Sequence, residues 1–225
     1  VEGKTKVKVA IGSGILFVSV LCLYVWYKRV FLRQPNQLLA AAYNPTKFLS
    51  PANGTVVSVR AFDSNSDFIE NKYDTEDNIA GAIKLFAGDV DTAGTIMSIH
   101  MGLDNVHYQV CPLDATVDKI EYVSGNHKNA ISKSPDGVIR YENEHCSYLF
   151  QTSIGIKYKV VQIAGFVARK IESYVSEGQQ VNQGDQIGVI KLGSQVTVIL
   201  PSSISCMVKV GDVVDEGKTI MGTLV

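Results

Sequence analysis

Charge is what this sequence has least of. Only 19% of its 225 residues are Asp, Glu, Lys or Arg, and they cancel to a net charge of -1. That balance excludes a nucleic-acid binder that works by neutralising phosphates. The four cysteines (Cys22, Cys111, Cys146 and Cys206) show no CxxC spacing and no nearby HxxxH, so no metal site is expected. They make a poor disulfide framework, and a reducing compartment suits them better. From Val9 to Tyr27 charge is missing altogether (VAIGSGILFVSVLCLYVWY). This run is close to the length that carries a helix across a bilayer. Tyr24, Trp26 and Tyr27 gather at one end, where aromatic rings favour the membrane interface. A signal peptide would have a shorter apolar core followed by an Ala-x-Ala-like site; here Lys28, Arg29, Val30, Phe31, Leu32 and Arg33 follow instead. The segment therefore reads as one N-terminal transmembrane helix over 9–27, behind a basic flank at 1–8. Lys4, Lys6 and Lys8 balance Lys28, Arg29 and Arg33, so the positive-inside count is a tie. The expectation is a single-pass membrane protein with its main domain on the cytoplasmic side.

What is present begins after a juxtamembrane linker at 28–47 that contains Pro35 and Pro45. From Phe48 to the end the chain alternates short β-type runs with Gly, Asn and Asp: TVVSVRAF, TIMSIHM, DKIEYV, KYKVVQIAGFVARKI, QIGVIKL and QVTVILP. Strands of this length and spacing predict a mostly β domain over 48–225, a sandwich or barrel. One stretch, Glu76 to Phe86, permits a helix but contains Gly81 and has no strong cap, so its state is left open. Near the C-terminus an internal repeat stands out. Val175, Gly178, Val181, Gly184 and Ile187 recur as Val208, Gly211, Val214, Gly217 and Ile220, all at one constant offset. Glycines at such positions supply positive φ at tight reversals, and the β-branched residues between them fill a shared core. The unit resembles the hammerhead half-motif of biotinyl/lipoyl-like barrel-sandwich folds. Two copies in succession imply a duplicated barrel-sandwich-hybrid-like β-assembly.

Five ordered motifs carry a more specific resemblance. FLRQP (31–35) resembles an F-x-R-D-P element, and FLSPANGTVVSV (48–59) an S-P-A-D-G-x-V segment. The stretch from His107 to Pro112 resembles a His-containing strand, and VVQIAGFVARKI (160–171) matches V-V-Q-I-A-G-x-V-A-R-R-I almost letter for letter. GDQIGVIKLGS (184–194) resembles G-D-R-I-G-x-I-x-x-G-S. In this order they resemble the phosphatidylserine decarboxylase family in its short form, which includes archaetidylserine decarboxylase-like proteins. The resemblance runs from Phe31 to Val225.

It implies a lyase that decarboxylates a serine phospholipid, phosphatidylserine to phosphatidylethanolamine or a close analogue, at a phospholipid membrane. It implies autocatalytic cleavage at Gly193-Ser194, which would split the domain into 48–193 and 194–225 that stay partners. Ser194 would attack the Gly193 carbonyl, and elimination and hydrolysis would leave a pyruvoyl cofactor that holds the substrate amine as a Schiff base and acts as electron sink. His107 is the acid/base residue the resemblance implies, since histidine titrates near neutral pH. The acidic residue before that histidine maps to Asp104 or to Asn105. Arg169 is a candidate for the substrate phosphate. His100, His127 and His145 lack such context and read as structural. The departure is Asn53, where the family places an aspartate; an amide neither takes up a proton at neutral pH nor lends negative charge to a histidinium. Val110 likewise stands where some self-cleaving relatives carry a second histidine.

Two other readings stay open. Asn53 motivates a non-cleaving homologue that keeps the fold and binds lipid. A membrane-anchored lipoyl-like adaptor would need a modifiable lysine at a hairpin tip, and the turns offer only EGQQ and DEGK, with Lys218 nearest. A homo-oligomer is also left open.

Overall fold

The computed structural model describes residues 16–33, 43–63, 76–125, 141–165, 170–191 and 194–225. An eight-stranded antiparallel sheet dominates. Its first four strands, in spatial order, are β13 (Val213–Val214), β2 (Gly54–Asp63), β3 (Ala93–Met101) and β11 (Ser194–Pro201). The order continues through β7 (Lys157–Ala164), β6 (His145–Gln151), β5 (Ala115–Val123) and β9 (Gln180–Val181). Two three-stranded sheets complete the β structure. One is β1 (Lys47–Leu49), β14 (Ile220–Leu224) and β12 (Ile204–Cys206); the other is β4 (Tyr108–Val110), β10 (Gln186–Ile190) and β8 (Ile171–Ser173).

The large sheet is curled. Val214 and Val181, from its two opposite edge strands, join the same core cluster as Val198 and Val160 from its centre. Alternation along the strands sorts the side chains between two buried faces. Val196, Val198 and Leu200 point into the curl with Met97, Ile99, Tyr158 and Phe150. Ile199, Val161, Ile163 and Ile96 point outward, beneath helix α2 (Glu76–Phe86). Both faces are covered, so β11 is buried from end to end and reads as a continuous apolar run. The stretch left open in the sequence is thus a helix. Its Ala82 and Phe86 lie one turn apart and supply its buried contacts. Gly81 is explained by proximity, since a Cβ there would stand 2.6 Å from the Tyr141 hydroxyl. The outer face also holds two polar pairs, Ser98 Oγ with Thr197 Oγ1 at 2.8 Å and buried Lys159 with Asp89 at 2.5 Å.

The fold is duplicated, and the repeat glycines mark it. Gly178, Gly184, Gly211 and Gly217 all have positive φ, between 63° and 94°. Gly178 N–H donates to Val117 O and Gly211 N–H to Val56 O, both at 2.8 Å. Gly184 donates to Cys111 O and Gly217 to Ser50 O, again at 2.8 Å. The receiving segments are themselves related: CPLDATV (111–117) repeats SPANGTV (50–56), with proline, threonine and valine at matching places. They exchange bonds reciprocally, Leu49 N–H to Pro112 O at 3.1 Å and Val110 N–H to Pro51 O at 3.0 Å. Even the β-bulges correspond, between Val56 and Ser58 in β2 and between Val117 and Lys119 in β5. The pseudo-twofold therefore runs between β11 and β7 and exchanges β13 with β9, β2 with β5, and β3 with β6.

The apolar N-terminal run is helical over 16–26 (α1) and continues as a π-helical turn at Tyr27–Phe31. Leu16, Phe17, Leu23 and Tyr24 on α1 are exposed. Among the described residues no helix is long and apolar enough to cross a membrane. Residues 9–15 of the expected span lie outside the described residues. Beyond the turn, Leu32 packs on Val106, Tyr108 and Val189, and Arg33 Nη2 donates to Asp104 O at 2.7 Å.

Candidate active site

Ser194 opens β11, with Met101 of β3 on one side and Ala164 of β7 on the other. It shares the inward face of Val196 and Val198 and is fully buried. Its hydroxyl donates to the Met101 thioether, Oγ to Sδ 3.3 Å. A thioether is a weak acceptor, so this proton is lightly held. Gln109 Nε2 donates to the same sulfur at 3.6 Å and to His107 O at 2.9 Å. Gln162 Nε2 donates to Gln109 Oε1, and Gln162 Oε1 accepts from the Tyr148 hydroxyl at 2.8 Å. A buried polar chain thus runs from Tyr148 to Ser194, with His107 attached through its backbone. The paired registers of the two halves give Ser194 the counterpart Ile156, and each follows a glycine, Gly193 or Gly155. Gly155 has φ +84° in the tight turn that joins β6 to β7.

His107 is fully buried in the loop between β3 and β4. Its backbone carbonyl accepts from Ile190 N–H at 3.1 Å, tying it to the strand that leads toward residue 194. Its ring Nδ1 lies 2.9 Å from Asn105 O. A carbonyl only accepts, so Nδ1 carries the hydrogen and Nε2 is the basic nitrogen. Burial pushes the imidazole down to about 4; the Asn105 carbonyl and Asp104 oppose that, while Arg33 and His100 add to it. His107 is therefore neutral at neutral pH and able to accept a proton. The two candidates for the family's acidic residue divide the work. Asn105 holds the loop, through His107 Nδ1 and through Gly102 N–H to its Oδ1 at 2.7 Å. Asp104 brings the negative charge.

Asn53 sits in the tight loop before β2. A Cβ on the next residue, Gly54, would meet His100 O at 2.1 Å, so only glycine lets this loop lie against β3. Asn53 Oδ1 accepts the Glu216 N–H at 2.5 Å. In the other half, Asp114 Oδ1 accepts the Gln183 N–H at 2.6 Å. The position needs a side-chain oxygen to hold the facing turn, and an amide supplies one, though a weaker acceptor than a carboxylate. Glu216 is itself buried, with only 8% of its surface exposed, and its Oε2 has no hydrogen-bond partner among the described residues. Burial above all, with help from Asp215, pushes its carboxyl up to about 7.

The structure thus brings Ser194, His107 and Asn53 to one end of the large sheet. Gly193 and Arg169 lie outside the described residues, as does His127. His145 belongs to the opposite face, edge-on to Phe86 at 5.2 Å with Nδ1 held 2.8 Å from Asn143 O. Sequence reasoning missed Met101, Gln109 and Glu216. Met101 and Gln109 look like ordinary strand residues; only the register shows Met101 beside Ser194, and only the hydrogen bond to the Met101 sulfur brings Gln109 to the site. Glu216 had a signal, because the C-terminal repeat pairs it with Gln183.

A family model for phosphatidylserine decarboxylase matches residues 29–222. Among curated relatives, a protein from Neisseria gonorrhoeae is 34% identical, over 95% of this chain and 76% of its own length. One from Burkholderia vietnamiensis is 33% identical, over 96% of this chain and 86% of its own. A third, from Desulfotalea psychrophila, is 31% identical over 87% and 78%. Each is named phosphatidylserine decarboxylase proenzyme.

Proposed function

The chain belongs to the phosphatidylserine decarboxylase family, and on that premise we propose that it decarboxylates a serine phospholipid with a pyruvoyl group made from its own Ser194. The observation that carries this reading is the buried Ser194 hydroxyl at the head of a central strand, in one polar network with a neutral His107. Residue 194 fits such a group, since a pyruvoyl head is no larger than serine and Met101 and Ala164 flank the position, with Gln109 bonded to the Met101 sulfur. In place, the group would bind the substrate amine and take up the electron pair left by carbon dioxide. The matched halves support a hammerhead-type, barrel-sandwich-hybrid-like duplication, in which one half keeps the chemistry and the other keeps Ile156 and Asp114.

A second reading rests on Asn53. Its oxygen does structural work that outlasts the loss of a carboxylate, as expected in a homologue that keeps the fold without cleaving. Purified protein on phosphatidylserine vesicles separates the two. The decarboxylase releases carbon dioxide and leaves phosphatidylethanolamine, and its mass resolves into two chains. An intact chain with no product favours the second reading.

The exposed apolar side chains of α1 support a membrane anchor. Removing residues 1–26 keeps Leu32 and Arg33, which touch the β domain. The truncated protein is expected to lose about tenfold or more of its binding to vesicles. Sedimentation with lipid checks this, and undiminished binding would move the anchor to another surface.

A further inference from the structure

We propose that Glu216 supplies the negative charge that His107 needs when it takes the Ser194 proton, the part a carboxylate at position 53 would otherwise play. The inference deepens the self-cleaving reading above and rests on it. Glu216 is a positioning residue, because it acts through His107.

The step needs no outside reagent. The Ser194 Oγ–H proton passes to His107 Nε2 while Oγ bonds to the Gly193 carbonyl carbon. The bond from that carbon to the nitrogen of residue 194 then breaks, and His107 gives its proton to the freed amine. In between, His107 carries a positive charge in a buried site. Its low affinity for a proton, with Arg33 and His100 both disfavouring the charge, makes that state costly. Asp104 is one compensating anion, and Asn53 supplies none.

The pseudo-twofold shows where a second anion lies. In one half the acid is Asp114 and the amide is Gln183; in the other the amide is Asn53 and the acid is Glu216. The two residue types have changed places. Gln183 Nε2 donates to the carbonyls of Lys47, Pro112 and Asn44 at 2.7, 3.0 and 3.3 Å. Through the pairing of 50–56 with 111–117 those carbonyls correspond to Tyr108, Pro51 and Asn105. The slot that holds Glu216 therefore faces the segment that carries His107. Arg33, whose Nη2 donates to Asp104 O beside the His107 loop at 2.7 Å, disfavours charge on His107 and favours an ionised Glu216. Besides Arg33, the charged groups acting on Glu216 among the described residues include Asp215, which holds its proton on, and Lys218, which favours ionisation together with Glu216's own backbone N–H. The carboxyl gives up its proton near pH 7 and can then face a histidinium.

The exchange also supplies a test that preserves the fold, because Gln is the residue this slot already holds in the other half. Glu216→Gln is expected to slow self-cleavage about tenfold or more, followed by intact mass. The wild-type rate should rise through pH 7. The double variant Asn53→Asp/Glu216→Gln, which copies the Asp114 and Gln183 arrangement, should regain the wild-type rate without that rise. A second readout does not need cleavage. In the full-length Ser194→Ala chain, the His107 ring NMR signals should show an inflection near pH 7 that Glu216→Gln removes. Wild-type rate and pH profile in Glu216→Gln would overturn the proposal. So would a His107 titration indifferent to Glu216, even if no chain cleaves. A wild-type chain that stays whole while the inflection is present sinks the self-cleaving reading alone.

Discussion

Ser194→Ala keeps the chain whole at 225 residues and without decarboxylase activity. No other substitution is expected to have a larger effect, because alanine leaves no hydroxyl to attack the preceding carbonyl and no oxygen to eliminate. On the self-cleaving reading the wild-type protein, by contrast, is expected to divide into a chain ending at Gly193 and a smaller one running from Ser194 to Val225. The smaller piece should lack a free N-terminal amine and be lighter than a serine-started peptide by one ammonia. The fold is expected to survive the substitution, since among the described residues the hydroxyl's acceptor is a thioether and losing that bond costs about 1 kcal/mol. Intact mass and a vesicle assay check both halves of the expectation. Cleavage of Ser194→Ala at the wild-type rate would remove Ser194 from the mechanism.

His107→Ala comes second, with a loss of about 100- to 10,000-fold in cleavage or turnover. Alanine also opens a cavity at a fully buried position, so His107→Gln is the better companion. Glutamine keeps a donor for the Asn105 carbonyl but cannot act as a base. Wild-type turnover in both variants would return His107 to structure. Burial also sets a pH signature. The unfolded chain protonates this histidine near 6.5, whereas the folded chain resists until about 4. Between those values unfolding takes up a proton, so stability falls as pH drops from 6.5 to 4, by up to about 3 kcal/mol. In His107→Gln that part of the acid sensitivity is absent, and urea unfolding at pH 7 and pH 4.5 would show it.

Much of this was legible because it is written in local chemistry. The glycines at 178, 184, 211 and 217 announce positive φ wherever they recur, and all four adopt it. The run QVTVILP reads as a strand in any setting, and burial on both faces explains its lack of polar alternation. The relation between 50–56 and 111–117 went unread because only the proline, threonine and valine persist, and burial keeps the remaining positions merely compatible. Asn53 read as a missing carboxylate. Its structural duty toward Glu216 N–H links distant parts of the chain and leaves no local mark. Glu216 resembles any acidic turn residue until the 50–53 loop closes over it. Helix α2 was ambiguous for a similar reason, because Gly81 weakens its propensity and only Tyr141 explains the glycine.

The position of β11 has one more consequence. It pairs with β3 along its whole length and with β7 from Ser194 to Ile199, and the chain beyond it continues into β12, β13 and β14. Cutting before Ser194 would therefore turn one chain into two, the smaller of them the keystone of the larger one's sheet. Its melting would gain one more partner to lose, with a midpoint that depends more steeply on protein concentration than the uncut chain's. The protein would become a natural case of fragment complementation, stable as long as the pieces never part.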